Sequence, residues 1–320
     1  MDAFVLNEKW QIIHPEDSVR ILRIDSVCKP DLSIGIDTDG KRCLTLKSAS
    51  LKEEYLDKNE FSNLSIVYLP VEDRIIIRVL DEYFWDLFND FVISIYNKIH
   101  QIEDDEACVK EFFRTFNRWA YFFDEKRGAK LSEEILIGLF GELCFMDYLL
   151  SHPSLGFKIS DIEQSWVGPY DKGHDFEFFD IDFEVKTKPG RSLDVNISSE
   201  YQLQEDLGKS LELVIIDIDK NYIEGISLKD LINSIKEKVI ASGGDLSFIV
   251  EGLKQKNISF NELESYDNYR YKADKIAFYD CLAVGFPRLQ RNLLPQSIRK
   301  VRYQIRLTNL NEFIKLEQSL

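Results

Sequence analysis

The sequence is poor in the residues that build disulfide frameworks and zinc sites. Its five cysteines are odd in number and far apart, and no two of them form a C-x-x-C pair. The four histidines are also scattered, without the spacing of a metal-binding motif. These absences exclude a disulfide-stapled scaffold and a zinc ribbon, and they favour buried thiols in a reducing compartment.

Long apolar runs are missing as well. No window reaches about 18 uncharged apolar residues, and the N-terminal stretch MDAFVLNEKWQIIHPEDSV lacks a basic region followed by an apolar core. We therefore expect a soluble, cytoplasmic protein with no membrane partner. A phosphate-binding loop is excluded too, because Leu203 stands where the motif ending in LGKS needs its first glycine.

Positive charge is scarce overall but concentrated in one segment. Lysine and arginine number 40 against 56 acids, which gives a formal net charge of -16, so any contact with a polyanion needs a local basic patch or a partner. Residues 286–306, FPRLQRNLLPQSIRKVRYQIR, contain no acid. The DNA-binding candidates in this segment are Arg288, Arg291, Arg299, Lys300 and Arg302. The alternative is that these cations pair with carboxylates elsewhere in the chain.

The N-terminal third has the pattern of a β-rich domain. Residues 10–80 alternate short apolar and polar runs, which predicts a mostly antiparallel sheet. Within it, the DTDG at 37–40 favours a hairpin turn over a calcium loop, because the later calcium ligands are absent. We predict a β-rich recognition or docking domain over 1–105 and a second domain over 106–320, with its core at about 130–225.

The spacing of apolar residues predicts three helices after this sheet. Aromatic and aliphatic residues recur every three or four positions from Tyr83 to Ile99 and again from Phe112 to Phe123, and both stripes are expected to face the core. The third helix covers 131–150, with Ser132 as its N-cap.

The third helix contains an unusual Gly-x-x-Gly-Glu combination. Gly138 and Gly141 interrupt a strong helix, at about 1 kcal/mol each relative to alanine, and Glu142 lies close to its apolar face. One interpretation is a carboxylate at the boundary of the core that forms a salt bridge. The other is that the glycines allow the helix to approach a strand closely and bring Glu142 to a charged site.

Acidic residues are concentrated in the stretch GHDFEFFDIDFEVKTKPG, residues 173–190. Two short apolar runs meet at Asp180 and predict a hairpin. The period of two places Glu184 and Lys186 on one face of the second strand, about 7 Å apart by the strand rise, and Asp175 near the same end. An exposed charged hairpin is the alternative interpretation.

This arrangement fits metal-dependent hydrolysis of phosphodiesters. Asp175, Glu184 and the main-chain carbonyl of Val185 offer the hard oxygen ligands that Mg²⁺ prefers, and Mn²⁺ can substitute. Lys186 could orient or deprotonate a water molecule and stabilise the transition state. Glu142 could act on a water molecule or a second ion beside the first. The neighbouring His174 either contacts phosphate or closes the turn, and we favour the turn.

The pattern Asp-x8-Glu-x-Lys after a helix with Gly-Glu resembles the PD-(D/E)XK, or restriction-endonuclease-like, nuclease superfamily. Residue by residue, Asp175 matches the motif Asp, Glu184 the second acid, Lys186 the lysine and Glu142 the helix Glu, whereas His174 stands where the motif name has Pro. The stretches GFPRL and VRYQIRL are similar to the bacterial family of PD-(D/E)XK motif proteins linked to restriction and phage-defence gene sets.

The resemblance implies an α/β fold: an αβββαβ core with a β-rich N-terminal domain and an α/β C-terminal extension. Residues from about Ser199 would form the second helix of the core and residues 211–219 its last strand. The implied activity is Mg²⁺-dependent DNA endonuclease activity in restriction or phage defence, with DNA, partner subunits of a defence system and a homodimer as expected partners. A non-cleaving DNA-binding or scaffold subunit, and a repair or RNA nuclease, remain as alternatives.

Overall fold

A computed structural model describes residues 1–14, 20–55, 61–124, 131–170 and 173–320. The chain forms two compact units. The first comprises Met1–Arg127, Asp245–Glu251 and Ser259–Asn261, and the second comprises Gly128–Gly244, Gly252–Ile258 and Glu262–Leu320. Both contain helices and strands, so the predicted α/β class is confirmed. The domain boundary predicted between 105 and 106 stays a prediction.

The first part of the chain contains the predicted antiparallel sheet. Its helices and strands are α1 (Ala3–Ile12), β1 (Arg20–Arg23), β2 (Asp31–Ile36), β3 (Arg42–Lys47), β4 (Leu64–Leu69), β5 (Arg74–Val79), α2 (Trp85–Ile99) and α3 (Asp105–Ala120). The strands pair in the order β1-β2-β3-β5-β4, and every pairing is antiparallel. The turn predicted at 37–40 joins β2 to β3, with Gly40 in the left-handed region at φ 76°. Helix α1 had no counterpart in the sequence interpretation.

The aromatic stripes of α2 and α3 form a core, as predicted. Phe91 lies 6.2 Å from Trp119 and 6.2 Å from Phe123, measured between ring centroids, and all three side chains are buried. Rings at such distances and tilted angles combine large buried areas with favourable aromatic contacts. These aromatic residues therefore stabilise the first unit as part of its core.

The elements that follow include a second, larger sheet. They are α4 (Glu133–Ser151), α5 (Ile159–Ser165), β6 (Phe176–Glu177), β7 (Ile181–Lys188), β8 (Asp194–Ile197), β9 (Ser210–Lys220), β10 (Ile226–Ser227), α6 (Leu228–Ala241), α7 (Ser247–Gln255), β11 (Arg270–Asp280), β12 (Tyr303–Arg306) and β13 (Ile314–Ser319). The sheet has the order β10-β11-β9-β7-β6, with β13 also paired to β11. Strands β7 and β9 are parallel and the remaining pairs are antiparallel.

The helix predicted from about Ser199 is wrong. The residues between β8 and β9 form turns, and β8 pairs with β12 outside the six-stranded sheet. Hydrogen bonds from backbone N–H groups to nearby side chains replace the bonds that a helix would form here. The Ser198 N–H donates to Gln202 Oε1 at 2.7 Å, and the Tyr201 N–H donates to Ser199 Oγ at 3.3 Å. Leu203 is also fully buried in a core cluster with residues of β8 and β12.

The two glycines of α4 have different roles. A Cβ at Gly141 would lie 2.1 Å from Thr187 Cγ2 on β7, whereas a Cβ at Gly138 would meet nothing within 4 Å. The predicted close approach of helix and strand is therefore confirmed for Gly141 and wrong for Gly138. Since α4 carries Glu142, this contact fixes the height of that carboxylate over the sheet.

Alanine at these two glycines should change stability in opposite directions. We expect Gly138→Ala to raise the free energy of unfolding by roughly 1 kcal/mol, because alanine is the better helix former. Gly141→Ala should lower it by about 1–3 kcal/mol, since Thr187 and the helix must move apart. Thermal unfolding of the two variants measures this, and a melting temperature that rises for both would show that α4 is not pressed against β7.

Among the helices in the described residues, none combines the length and the apolar character that crossing a bilayer requires.

Candidate active site

Strand register brings Asp175 to Glu184. In the antiparallel pair of β6 and β7, Phe176 lies opposite Phe183, and continuing this register by one residue sets Asp175 opposite Glu184. Strand β6 starts only at Phe176, and among the residues that the structure describes no strand pairs with the next part of the β7 edge on that side. The Val185 N–H there donates to Asp175 Oδ2 at 2.8 Å. The side chain thus replaces a strand bond, and this fixes the carboxylate beside Glu184.

Glu184 and Lys186 lie on one face of β7, as the period of two predicts. Lys186 Nζ donates a hydrogen bond to Glu184 Oε1, and the Glu184 side chain is only 1% exposed. The opposite face of the strand carries Phe183, whose ring packs 5.0 Å from that of Phe145 on α4. Aromatic burial on one face therefore holds the charged pair in place on the other.

Glu142 joins the acids from α4. Its Oε2 accepts a hydrogen bond from Trp166 Nε1 at 2.8 Å. A Cβ placed on Gly168 would lie 2.7 Å from this Oε2 and 2.9 Å from Asp175 Oδ1, so both carboxylates reach the same small space. The Gly168 N–H also donates to the Asp175 carbonyl oxygen at 3.0 Å. Gly168 therefore connects Glu142 with Asp175, and a side chain there would fill the gap.

The electrostatics of the cluster show an excess of negative charge. Burial, with the charges of Glu184 and Glu142, holds the pKa of Asp175 well above its ordinary value. Burial also raises the pKa of Glu142, although the bond from Trp166 opposes the shift. Burial alone would lower the pKa of Lys186, but Glu184 and Asp175 outweigh it and raise that pKa. Three carboxylates thus share one ammonium group.

The donor set is suited to a hard divalent cation. Mg²⁺ is usually held through one or two carboxylates and keeps several water ligands, which matches Asp175, Glu184 and the Val185 carbonyl. The excess carboxylate charge and the small space at Gly168 favour a cation at this position. Within the described ranges, no group of three or more His, Cys, Asp or Glu side chains is already arranged around a metal position. The residues fit Mg²⁺ as partial, water-completed ligands.

Comparison with known families agrees with the motif. A family model described as "Putative PD-(D/E)XK family member, (DUF4420)" matches residues 6–308. The chain belongs to the DUF4420 family. This confirms the resemblance to the PD-(D/E)XK superfamily and places the chain among nuclease-like proteins. Neither the curated proteins nor the solved structures gave a significant match.

The sequence did not predict two residues of this acidic cluster, Trp166 and Gly168, and it left the role of a third, His174, open. Trp166 and Gly168 lie in the stretch SWVGPYDKG, where a glycine before a proline indicates only a turn. His174 is buried, and its Nδ1 lies 3.8 Å from Glu184 Oε2, too far for a hydrogen bond. Burial opposes protonation, but the charge of Glu184 outweighs it and raises the pKa of His174.

The predicted DNA-binding residues of the DUF4420 chain separate into two groups. Arg288 forms an ion pair with Glu205 and donates to the Leu203 carbonyl oxygen at 3.2 Å, which is the pairing that the alternative interpretation anticipated. The other four line a cavity of about 650 Å³. They are Arg291, Arg299, Lys300 and Arg302. Their role in DNA binding stays a prediction.

Proposed function

We propose that this protein is a Mg²⁺-dependent endonuclease that hydrolyses phosphodiester bonds in DNA, in a restriction or phage-defence system. The observation that carries the proposal is the convergence of Asp175 and Glu142 on one small space at Gly168, with Asp175 also bonded to β7 between Glu184 and its partner Lys186. Membership of a PD-(D/E)XK family supports it.

The chain's own residues have distinct roles in this proposal. Asp175, Glu184 and the Val185 carbonyl would hold Mg²⁺, or Mn²⁺ in its place. When bound, the ion would neutralise charge on the phosphate oxygens and lower the pKa of a water molecule. Glu142, oriented by the Trp166 indole N–H at 2.8 Å, would align a water molecule with the scissile phosphate.

Lys186 acts in this account through its charge. In the metal-free cluster Glu184 and Asp175 raise the pKa of Lys186, which favours the ammonium form, a donor of hydrogen bonds. Of the two roles expected from the sequence, stabilising negative charge on the phosphate is therefore favoured over deprotonating water. A positive group preorganised in a buried site is effective at this task.

The net charge of -16 supports a role that depends on partners. An acidic protein gains little from non-specific attraction to DNA, so partner subunits of a defence complex would bring the nuclease to its substrate. Cutting both strands requires two active sites or two encounters, which a homodimer would provide. The first unit, with its five-stranded sheet, would serve in recognition or docking.

One observation favours a second candidate, a non-cleaving DNA-binding or scaffold subunit. In the described residues no set of three metal-binding side chains is already assembled, and Lys186 is bonded to one of the two proposed ligands. A scaffold could keep such a cluster for stability alone. A repair or RNA nuclease would use the same residues on another substrate.

A cleavage panel separates these candidates. The full chain is incubated with closed circular DNA, linear duplex, single-stranded DNA and RNA, each with Mg²⁺, Mn²⁺ or EDTA. We expect metal-dependent cutting of DNA that Glu184→Gln abolishes. Cutting restricted to RNA would favour the RNA nuclease, and binding without cutting under every condition, with partner subunits present, would favour the scaffold.

A further inference from the structure

The second unit contains a cavity lined mainly by basic residues, although the chain as a whole is acidic. It measures about 650 Å³, and its charged lining consists of Arg291, Arg299, Lys300 and Arg302 with one acid, Glu200. Ser198, Ser199 and Tyr201 add hydroxyl groups to the same lining. Four cations against one carboxylate, in a protein of net charge -16, form a site of locally inverted charge.

The carboxylate of Glu200, the one acid among the residues that line the cavity, accepts hydrogen bonds from backbone N–H groups. Glu200 is 3% exposed, and its Oε2 accepts the Val301 N–H at 2.9 Å. Hydrogen bonds from its own backbone N–H and from that of Val301 lower the pKa of Glu200, which favours the ionised carboxylate. The same bonds tie Glu200 to the loop that contains Val301. That loop places Lys300 in the left-handed region at φ 56°, which lysine rarely adopts. The cavity is thus built by a buried carboxylate and a strained loop.

The cations are left available by this arrangement. Arg291 uses its guanidinium on the carbonyl oxygens of Ile298 and Gln296, which stiffens the loop. Over the described parts of the chain, no carboxylate pairs with the exposed side chains of Arg299 and Lys300, and the same holds for Arg302. Arg288 and Arg306 of the same segment differ from these three residues, because each of them forms an ion pair with an acid.

The loop of the cavity and the candidate active site are connected through one core cluster. Arg302 is followed directly by β12, whose Tyr303 lies opposite Ile197 of β8. Tyr303 packs against the core cluster that contains Ile197 and Leu213, and Leu213 lies opposite Glu184 in the parallel pair of β7 and β9. Because paired residues on neighbouring strands point to the same face of a sheet, Glu184 and this cluster lie on the same face of β7 and β9.

We propose that this cavity binds phosphate groups of the nucleic-acid strand that the candidate active site cuts, an inference that rests on the proposed function. Arginine guanidinium groups bind phosphate oxygens through paired N–H bonds, and the hydroxyl groups of the lining add neutral donors. Tyr201, 55% exposed at the rim, offers a ring on which a base can stack.

Binding of labelled DNA to the full chain tests the proposal. Fluorescence anisotropy is measured in EDTA over a series of salt concentrations, with duplex, single-stranded DNA and RNA, each with a 5′ phosphate or a 5′ hydroxyl. The variant is Arg299→Gln with Arg302→Gln. The control is Lys29→Gln with Lys110→Gln, which removes the same charge from exposed ion pairs of the first unit.

We expect the Arg299→Gln, Arg302→Gln variant to bind at least tenfold more weakly than the control, with a salt slope shallower by about 1.8 on duplex, since each lost phosphate contact removes about 0.9. A loss confined to 5′-phosphorylated strands would assign the cavity to a strand end, and a loss on both would assign it to internal phosphates. Equal affinity of variant and control, or a wild-type chain that binds none of these nucleic acids, would overturn the proposal.

A failure of the cavity proposal can be distinguished from a failure of the proposed nuclease function. Lys186→Met tests the proposed active site separately from the cavity, because Lys186 is outside the cavity lining, and it should reduce cutting by about 10² to 10⁴-fold. If the cavity variant binds normally while Lys186→Met loses cutting, the inference fails and the nuclease function stands. If the cavity variant loses binding but Lys186→Met still cuts, the cavity stands and the proposed active site fails.

Discussion

Replacing Lys186 with methionine should reduce DNA cleavage by about 10² to 10⁴-fold, in the range for loss of one preorganised charge or proton-transfer group. Methionine keeps the length of the side chain but removes the ammonium group that Glu184 holds in the cluster. The measurement is the single-turnover rate of cutting at saturating metal, which separates chemistry from DNA binding.

Lys188→Met is the matched control for this loss. Lys188 lies two residues further along β7 and pairs with Asp217 at 2.5 Å, so its replacement also removes an ion pair from the same strand. We expect both variants to lose stability and only Lys186→Met to lose cutting. Lys186→Arg should keep part of the rate, because it keeps the charge. Cutting by Lys186→Met at the rate of Lys188→Met would contradict the assigned role.

Gly168→Ala should reduce cutting by about 10 to 100-fold, although it leaves every charged residue in place. The new methyl group would lie 2.7 Å from Glu142 Oε2 and 2.9 Å from Asp175 Oδ1, closer than a carbon and an oxygen can approach. One or both carboxylates must move by several tenths of an ångström, and displacements of about 1 Å in an active site cost about 10²-fold.

Gly138→Ala provides the control for the glycine substitution itself. Its new methyl group meets nothing within 4 Å, so cutting should equal that of the wild type. Gly168 does not have a positive φ, so alanine there adds no backbone strain and the effect should come from the carboxylates. A Gly168→Ala variant that cuts at the wild-type rate would show that Glu142 and Asp175 do not need their present spacing.

The part of the site that is local in the chain could be predicted from the sequence. Alternation along β7 fixes Glu184 and Lys186 on one face, and the short hairpin fixes Asp175 across from Glu184 by register. Gly141 beside Glu142 marked a close neighbour on β7, whereas Gly138 in the same helix has none, so the glycine signal was right at one of two positions. In each case the signal lies within a few residues of the feature.

The rest depends on contacts that the sequence does not encode locally. Trp166 and Gly168 reach the acids only because a bridge sets Trp166 beside Phe176, and no periodicity marks either residue. The residues after Ser199 have helical propensity, but the burial of Leu203 and the backbone bonds of Glu200 override it. Arg288 resembles its basic neighbours in sequence, yet Glu205 neutralises it.

Metal binding tests the central claim most directly, because the claim is that Asp175 and Glu184 form one site for a hard cation. Titration calorimetry of the full chain with Mn²⁺ should show one ion bound per chain. Asp175→Asn should abolish this binding, and Asp217→Asn, which changes an acid paired with Lys188, should preserve it. Mn²⁺ binding that is absent from the wild type, or unchanged in Asp175→Asn, would contradict the account.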